Sequence, residues 1–267
     1  RDPMVRHTAA HTSGAPKRIP KKSHRIDPHL LSKNAVKVTQ TLQQAGYDAF
    51  IVGGAVRDLA LGIGPKDFDV ATNATPEQVQ KLFRKARLIG RRFQIVHVTF
   101  FGKGQPEIIE VSTFRALLEN AGEHVAENGR ILRDNVWGSQ HEDAARRDLS
   151  INAMYYDPAT ETVLDYHGGM ADMQKKTLRM IGDPTKRYRE DPIRMLRAIR
   201  FAAKTGFTLD EATRAPIAKL GKLLHDVPSA RLFDEILKLL MSGYSWASIQ
   251  GLKDAGLHHG LLPLLDH

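Results

Sequence analysis

The chain has 267 residues, 42% of them hydrophobic and 26% charged, a balance that fits a soluble globular protein with room for two domains. It contains no cysteine, which excludes a disulfide framework, a thiolate metal site and a thiol nucleophile, and suits a cytoplasmic protein. No apolar run approaches the roughly 20 residues of a membrane span, and the N-terminus lacks the apolar core of a signal peptide, so no membrane role is expected. The net charge of +9 is unevenly placed, because residues 1–25 hold seven Lys or Arg against one acid, Asp2. Rich in Pro, Ser, Thr and His, residues 1–26 read as a disordered basic tail. Such a tail either adds salt-sensitive affinity for RNA or only keeps the chain soluble. Arg1-Asp2-Pro3 ahead of Met4 reads as a cloning remnant outside the fold.

Ser32 is placed to cap a helix running to Ala45, with Ala35, Val38, Leu42 and Ala45 on one apolar stripe and Gly46 as its stop. Ala49–Val52 is an apolar strand, Gly53–Gly54 a turn into a short helix, and residues 67–71 a second strand. Alternate side chains of a strand share a face, so Asp67 and Asp69 project together while Phe68 and Val70 point the other way. Two carboxylates on one face repel unless a cation lies between them, and Mg²⁺ is the natural hard-cation occupant. The glycines let the backbone approach a phosphate closely. An Asp-x-Asp or a Gly-Gly alone is surface decoration far more often than not. Together, in strand–turn–helix–strand order, they point to phosphoryl or nucleotidyl transfer.

Thr75-Pro76-Glu77 is a strong start for a helix of about ten residues. Ile95–Phe101 and Glu107–Phe114 read as neighbouring strands, residues 117–135 as a mobile polar loop, His141–Ala153 as a helix, and Tyr155–Asp157 with Val163–Tyr166 as a further strand pair. Past Gly182-Asp183-Pro184 the pattern becomes helical throughout, over Glu190–Lys204, Asp210–Leu220, Ser229–Met241 and Tyr244–Ala255, with no convincing strand. The expected architecture is α+β: a mixed α/β head over residues 27–182, then an all-α domain over residues 183–267. The apolar run Leu261–Leu265 near the end, with little after it to cover it, suggests a truncated second domain.

A two-metal transfer needs a third carboxylate. Glu110, in an apolar strand, and Asp148 are both candidates, and Glu110 could instead only pair with a basic group. Arg146, Arg147 and Asn152 are candidates to reach triphosphate or ribose, since the arginine fork donates two parallel hydrogen bonds. In the Glu190–Lys204 helix, Arg187, Asp191 and Arg194 share a face apart from the buried stripe. The plain reading is an intrahelical Asp191–Arg194 salt bridge. The sharper one is base recognition, a carboxylate accepting from an exocyclic amine of adenine or cytosine and an arginine donating to the ring nitrogen beside it. Lys81, Arg84, Lys85, Arg87, Arg91 and Arg92 either contact an RNA backbone or form an exposed helix face.

Gly53-Gly54-x-Val56-Arg57-Asp58, Asp67-Phe68-Asp69, Arg146-Arg147-Asp148 with Asn152, and Glu190-Asp191-x-x-Arg194-x-x-Arg197 together resemble the successive motifs of the bacterial poly(A) polymerase and tRNA CCA-adding nucleotidyltransferase family (class II). The likeness runs over about residues 48–205, and the helical part through Arg231–Glu235 is similar to that family's neck. The resemblance implies a polymerase β-like head and a helical neck. It also implies two Mg²⁺ ions held by Asp67 and Asp69, triphosphate contacts from Gly53, Gly54, Arg57 and Arg197, and base reading by Asp191 and Arg194. The stretch Leu88–Val98 is similar to the one that separates poly(A) polymerases from CCA-adding enzymes, and it leans to the former. The expected function is therefore template-independent transfer of AMP from ATP to RNA 3′ ends, with pyrophosphate released. A CCA-adding enzyme is the nearest alternative and a non-catalytic RNA-binding module the alternative of another class.

Overall fold

A computed structural model describes residues 14–91, 93–117 and 137–259. In chain order the N-terminal part contains β1 (Lys17–Ile19), α1 (Lys21–His24), α2 (Lys33–Gln44), β2 (Ala49–Val52), α3 (Gly54–Ala60), β3 (Asp69–Thr72), α4 (Pro76–Leu82), β4 (Ala86–Ile89), β5 (Ile95–Phe100) and β6 (Glu107–Thr113). Then come α5 (Gln140–Ala145), β7 (Met154–Asp157), β8 (Thr162–Asp165), α6 (Gly169–Gln174) and β9 (Thr177–Leu178). The remainder is α7 (Pro184–Glu190), α8 (Ile193–Thr205), β10 (Thr208–Leu209), α9 (Glu211–Leu220), α10 (Ser229–Met241) and α11 (Ser245–Asp254). None of these helices is long and apolar enough to cross a membrane.

An eight-stranded sheet in the order β1-β8-β7-β2-β3-β6-β5-β4 is the scaffold. Only β3 and β6 run parallel; every other pair in it is antiparallel. Register partners share a face, so one row can be followed across all eight strands: Ile19, Val163, Tyr156, Ile51, Val70, Val111, Val96 and Leu88. This row is the buried face, on which α2 packs Ala35, Val38 and Leu42. The adjacent row, one residue out of phase, reads Arg18, Leu164, Tyr155, Val52, Asp69, Glu110, His97 and Arg87. After Arg18 it is apolar, packing Leu164, Tyr155 and Val52 with Phe114 and Ala144 in a second small core, and from Asp69 onward it is polar and charged.

Local chemistry explains most of the elements. The Ser32 hydroxyl accepts from the Ala35 amide to cap α2, and Thr75 forms a reciprocal capping box with Gln78 on α4. Five expectations are corrected. Lys17–Ile19 is not part of a disordered tail: as β1 it closes the sheet against β8, with Ile26 buried just behind it. Asp67 precedes β3 and is not within the strand, although Phe68 and Val70 are buried and Asp67 and Asp69 face solvent, as alternation requires. The basic residues after Lys81 form no helix face, because α4 stops at Leu82 and Arg87 sits in β4. The segment His141–Ala153 is broken after Ala145 and resumes only as a 3-10 turn at Ser150–Asn152. Thr208–Leu209 is a short strand paired in parallel with β9. The expectations for residues 1–13, Arg92, the 117–135 loop beyond Leu117 and the apolar terminus lie outside the described residues.

Helix α8 packs against both α10 and α11, and α7 against α9. The sheet-bearing part meets the helices at Phe201, whose ring has the Arg57 guanidinium 5.3 Å from its centroid and that of Arg200 at 4.8 Å. Arg200 in turn donates to the buried Glu235 at 2.9 Å, tying α8 to α10.

Candidate active site

The site grows from the strand that follows the Gly53–Gly54 turn. Gly53 takes φ +75°, ψ −138°, a conformation that a side chain would strain, and it starts α3 beside the sheet. The chain returns through Asp67 to Asp69, the first residue of β3. Parallel pairing of β3 with β6 places Glu110 directly beside Asp69. Asp69 opens to solvent on the floor of a cleft, but the protein around it strips away enough water to raise its carboxyl to about 6, with Glu110 and then Asp67 adding to the rise and Arg147 opposing it. A cation beside Asp69 would relieve the repulsion that Glu110 and Asp67 exert on its charge. Among the described residues no three or more His, Cys, Asp or Glu side chains are placed to hold a metal ion by themselves. Mg²⁺ suits such a partial shell, because it takes one or two carboxylates and fills the rest with water and phosphate oxygens.

Behind the carboxylates lies a charge hub not anticipated from sequence. Asp143 on α5 is fully buried. It accepts from Arg146 at 2.9 Å, Arg147 at 3.1 Å, the Tyr155 hydroxyl at 2.6 Å and the Arg115 amide at 3.0 Å. Burial alone would raise its pKa, but Arg147 and Arg146, with the two hydrogen bonds, outweigh burial and hold it below the usual carboxylate range. Burial works against the Arg147 charge too, yet Tyr155 and Asp143 keep that guanidinium more firmly protonated than a free arginine. Arg115, stacked 4.3 Å over Phe93, is lowered to about 10, first by burial and then by the nearby Arg146. The spacing of Asp143 to Arg146 and Arg147, i to i+3 and i+4, was the signal available in the sequence.

Several expected contacts lie elsewhere. Of the two third-carboxylate candidates, Glu110 stands beside Asp69, with His97 Nε2 at 3.7 Å on its other side. Asp148 accepts from the Leu149 amide at 2.7 Å and is paired with Arg197 at 2.8 Å; it joins the sheet-bearing part to α8. Arg57, expected on triphosphate, is buried and donates to Asn152 at 2.8 Å and Asp58 at 3.1 Å, so Arg57 and Asn152 satisfy each other.

The proposed base readers do not form an intrahelical salt bridge. Helix α7 ends at Glu190, Asp191 adopts an extended conformation (φ −148°, ψ 95°), and Pro192 starts α8. Arg194 pairs with Glu190 at 3.3 Å and donates to the Arg187 carbonyl at 2.9 Å. Asp191 accepts from Arg231 of α10 at 2.6 Å through one oxygen, while its other, Oδ1, is buried with no hydrogen-bond partner. Arg187 connects this corner to the backbone after α5, donating to the carbonyls of Arg146 at 2.9 Å and Arg147 at 2.5 Å.

Comparison with known proteins adds a lineage to this geometry. Residues 49–179 match the family model described as "Poly A polymerase head domain", and residues 206–267 that described as "Probable RNA and SrmB-binding site of polymerase A". Poly(A) polymerase I of Escherichia coli O6:H1 is 52% identical over 252 residues, covering 92% of this chain and 53% of that protein. The CCA-adding enzyme of Bacillus velezensis is 38% identical over 223 residues, covering 84% and 54%. Among solved structures, the Bacillus stearothermophilus CCA-adding enzyme in complex with CTP superposes with a TM-score of 0.74 at 34% identity, covering 90% of this chain and 55% of that one. The chain thus spans about half the length of the curated relatives it matches.

Proposed function

The chain belongs to the family of poly(A) polymerases and CCA-adding nucleotidyltransferases, and from that membership we propose that it transfers AMP from ATP to RNA 3′ ends without a template, releasing pyrophosphate. The observation that carries the reading is the carboxylate group at the head of β3, with Asp69 beside Glu110 and Asp67 close enough to raise its pKa. Asp67 and Asp69, with Glu110 as the third carboxylate, would hold two Mg²⁺ ions. When bound, these supply an activated 3′-hydroxyl and charge neutralisation on the triphosphate.

The remaining roles fall to the chain's own side chains. Arg147, held by Asp143, faces the carboxylates from the Gly53 side, its Nη1 3.7 Å from where a Gly53 side chain would begin. It is placed to take triphosphate oxygens beside the Gly53 and Gly54 backbone. Arg197 does so if it leaves Asp148. Arg57 and Asn152 act at one remove, by fixing α3 against the 3-10 turn. The unpartnered Asp191 oxygen accepts the exocyclic amine of the base, with Arg194 beside it as donor. That pair fits adenine and cytosine alike; the greater identity to poly(A) polymerase I favours adenine. On this reading the head ends near residue 182 and the neck begins there, and the enzyme works in the cytoplasm, where RNA and ATP meet.

The test is incubation with Mg²⁺, a short labelled RNA and each nucleoside triphosphate separately. A ladder of products with ATP alone supports the proposal. Addition of CCA to a tRNA lacking it, with no long A tract, would replace the proposal with the CCA-adding reading.

A further inference from the structure

Outward from the carboxylates, the strands β6, β5 and β4 carry a face that the catalytic reading does not use. Their buried side is covered by α4, whose Val79 packs in one core with Val98 and Ile109. Alternation turns the intervening residues to the opposite side. In register there are Glu110, His97 and Arg87 in one row, and Ile108, Thr99 and Lys85 in the next, the Thr99 amide donating to the Lys85 carbonyl at 2.9 Å. Phe101, two positions after Thr99, has the Lys85 ammonium 5.6 Å from its ring centroid. Ile108 is 50% and Phe101 68% exposed, and Lys85 and Arg87 are exposed beside them.

Charge reverses along this face. Asp69 and Glu110 hold its inner end, and Arg87 lies two strands further out, about 10 Å from Glu110 at ordinary strand spacing. Lys103 is exposed in the turn after Phe101. Lys85, Arg87 and Lys103 form no ion pair among the described residues. Cations on an edge strand such as β4 guard it against pairing with another edge. That role leaves Phe101 and Ile108 unexplained, because exposed apolar surface promotes the association that the charges oppose. Unpaired cations around an exposed aromatic ring on an open sheet suit single-stranded nucleic acid. A base stacked on Phe101 brings its own phosphate towards the ammonium group that already sits over the ring.

We propose that this outer face of β4, β5 and β6 is an accessory RNA site, separate from the place where the 3′ end reacts. It holds a single-stranded segment several nucleotides away from that end, with Lys85, Arg87 and Lys103 on backbone phosphates and Phe101 stacked on a base. The choice of RNA as the ligand rests on the nucleotidyl-transfer reading above.

The test is binding of a 5′-fluorescein-labelled single-stranded RNA of about twelve nucleotides, within the span of a single-strand site. Anisotropy over a salt series compares the wild type with K85A/R87A, F101A, F101Y and, as a control that removes the same charge elsewhere, K33A/K175A. These side chains are exposed, and equal melting temperatures verify folding. Loss of two phosphate contacts in K85A/R87A should flatten the slope of log Kd against log salt by about 1.4. F101A should weaken binding by about fivefold or more, with F101Y keeping the wild-type affinity. In extension assays KM for this RNA should rise in K85A/R87A and F101A, while KM for ATP and the extension of a trinucleotide primer stay put. Unchanged affinity and salt slope in K85A/R87A would overturn the proposal, leaving the cations to edge protection or to a protein partner. So would an equal loss in K33A/K175A, or a loss that falls on ATP or on the trinucleotide. If the wild type extends RNA with ATP while K85A/R87A and F101A bind RNA normally, the accessory site fails alone. If binding falls as expected but the wild type adds no nucleotide, the polymerase reading fails alone.

Discussion

At the scale of single residues, Asp69 is the position where structure and chemistry meet. Its carboxyl, raised to about 6 in the metal-free protein, ionises more readily in the unfolded chain. Its contribution to stability is therefore full below about pH 4 and lost as pH rises through about 6. A bound Mg²⁺ requires the ionised form and competes with the proton. The rise in melting temperature on adding Mg²⁺ should accordingly be small near pH 5, large near pH 7.5 and nearly absent in D69N; a pH-independent Mg²⁺ effect would exclude Asp69 as a ligand. Asp67→Ala should abolish nucleotide incorporation while ATP still stabilises the fold in part, as read by gel extension and thermal shift together. Full activity in that variant would remove Asp67 from the metal site.

Elements supply what no single residue can. The β3–β6 register sets Glu110 beside Asp69, and α5 presents Asp143 to two arginines of its own C-terminal turn and to Tyr155 of β7. Because the Asp143 pKa is depressed, its stabilising effect is present above about pH 4 and disappears as acid protonates it. Asp143→Ala leaves the half-buried Arg146 and Arg147 without their partner and should cost about 1.5–3 kcal/mol. Chemical denaturation would show this, and a loss within experimental error would mean that the arginines find other acceptors. Close approach matters here too. A side chain on Gly169 would meet the Ser150 carbonyl at 2.3 Å, so α6 can dock on the 3-10 turn carrying Asn152 only as glycine.

Over the whole molecule, the carboxylates and the corner around Asp191 belong to different parts of the chain, and side-chain bridges join them. Arg187 links α7 to the backbone of Arg146 and Arg147, and Phe201 is clasped between Arg57 and Arg200. Phe201 is 8% exposed. Its truncation to Ala should cost about 3–5 kcal/mol and, by loosening the sheet from α8, split the melting transition into two in calorimetry. A single transition shifted as a whole would show that the other contacts keep the two parts cooperative.

What short-range chemistry encodes is legible in the order of the residues alone. Alternation announced that Asp67 and Asp69 share a face, Ser32 and Thr75 announced their helices, and the motif order announced the family. Ambiguity remained wherever a partner lay far along the chain. Glu110 and Asp148 are equal candidates by sequence alone; the parallel β3–β6 pairing sets Glu110 beside Asp69, and Asp148 pairs with Arg197. Asp191 had Arg194 as its obvious neighbour on a helix, but Pro192 broke that helix and Arg231, forty positions away, became its partner. Periodicity reports which way a side chain points within its own element. Which other side chain waits there depends on strand register and helix docking, and those are set by burying the apolar row that runs from Ile19 to Leu88 across the sheet.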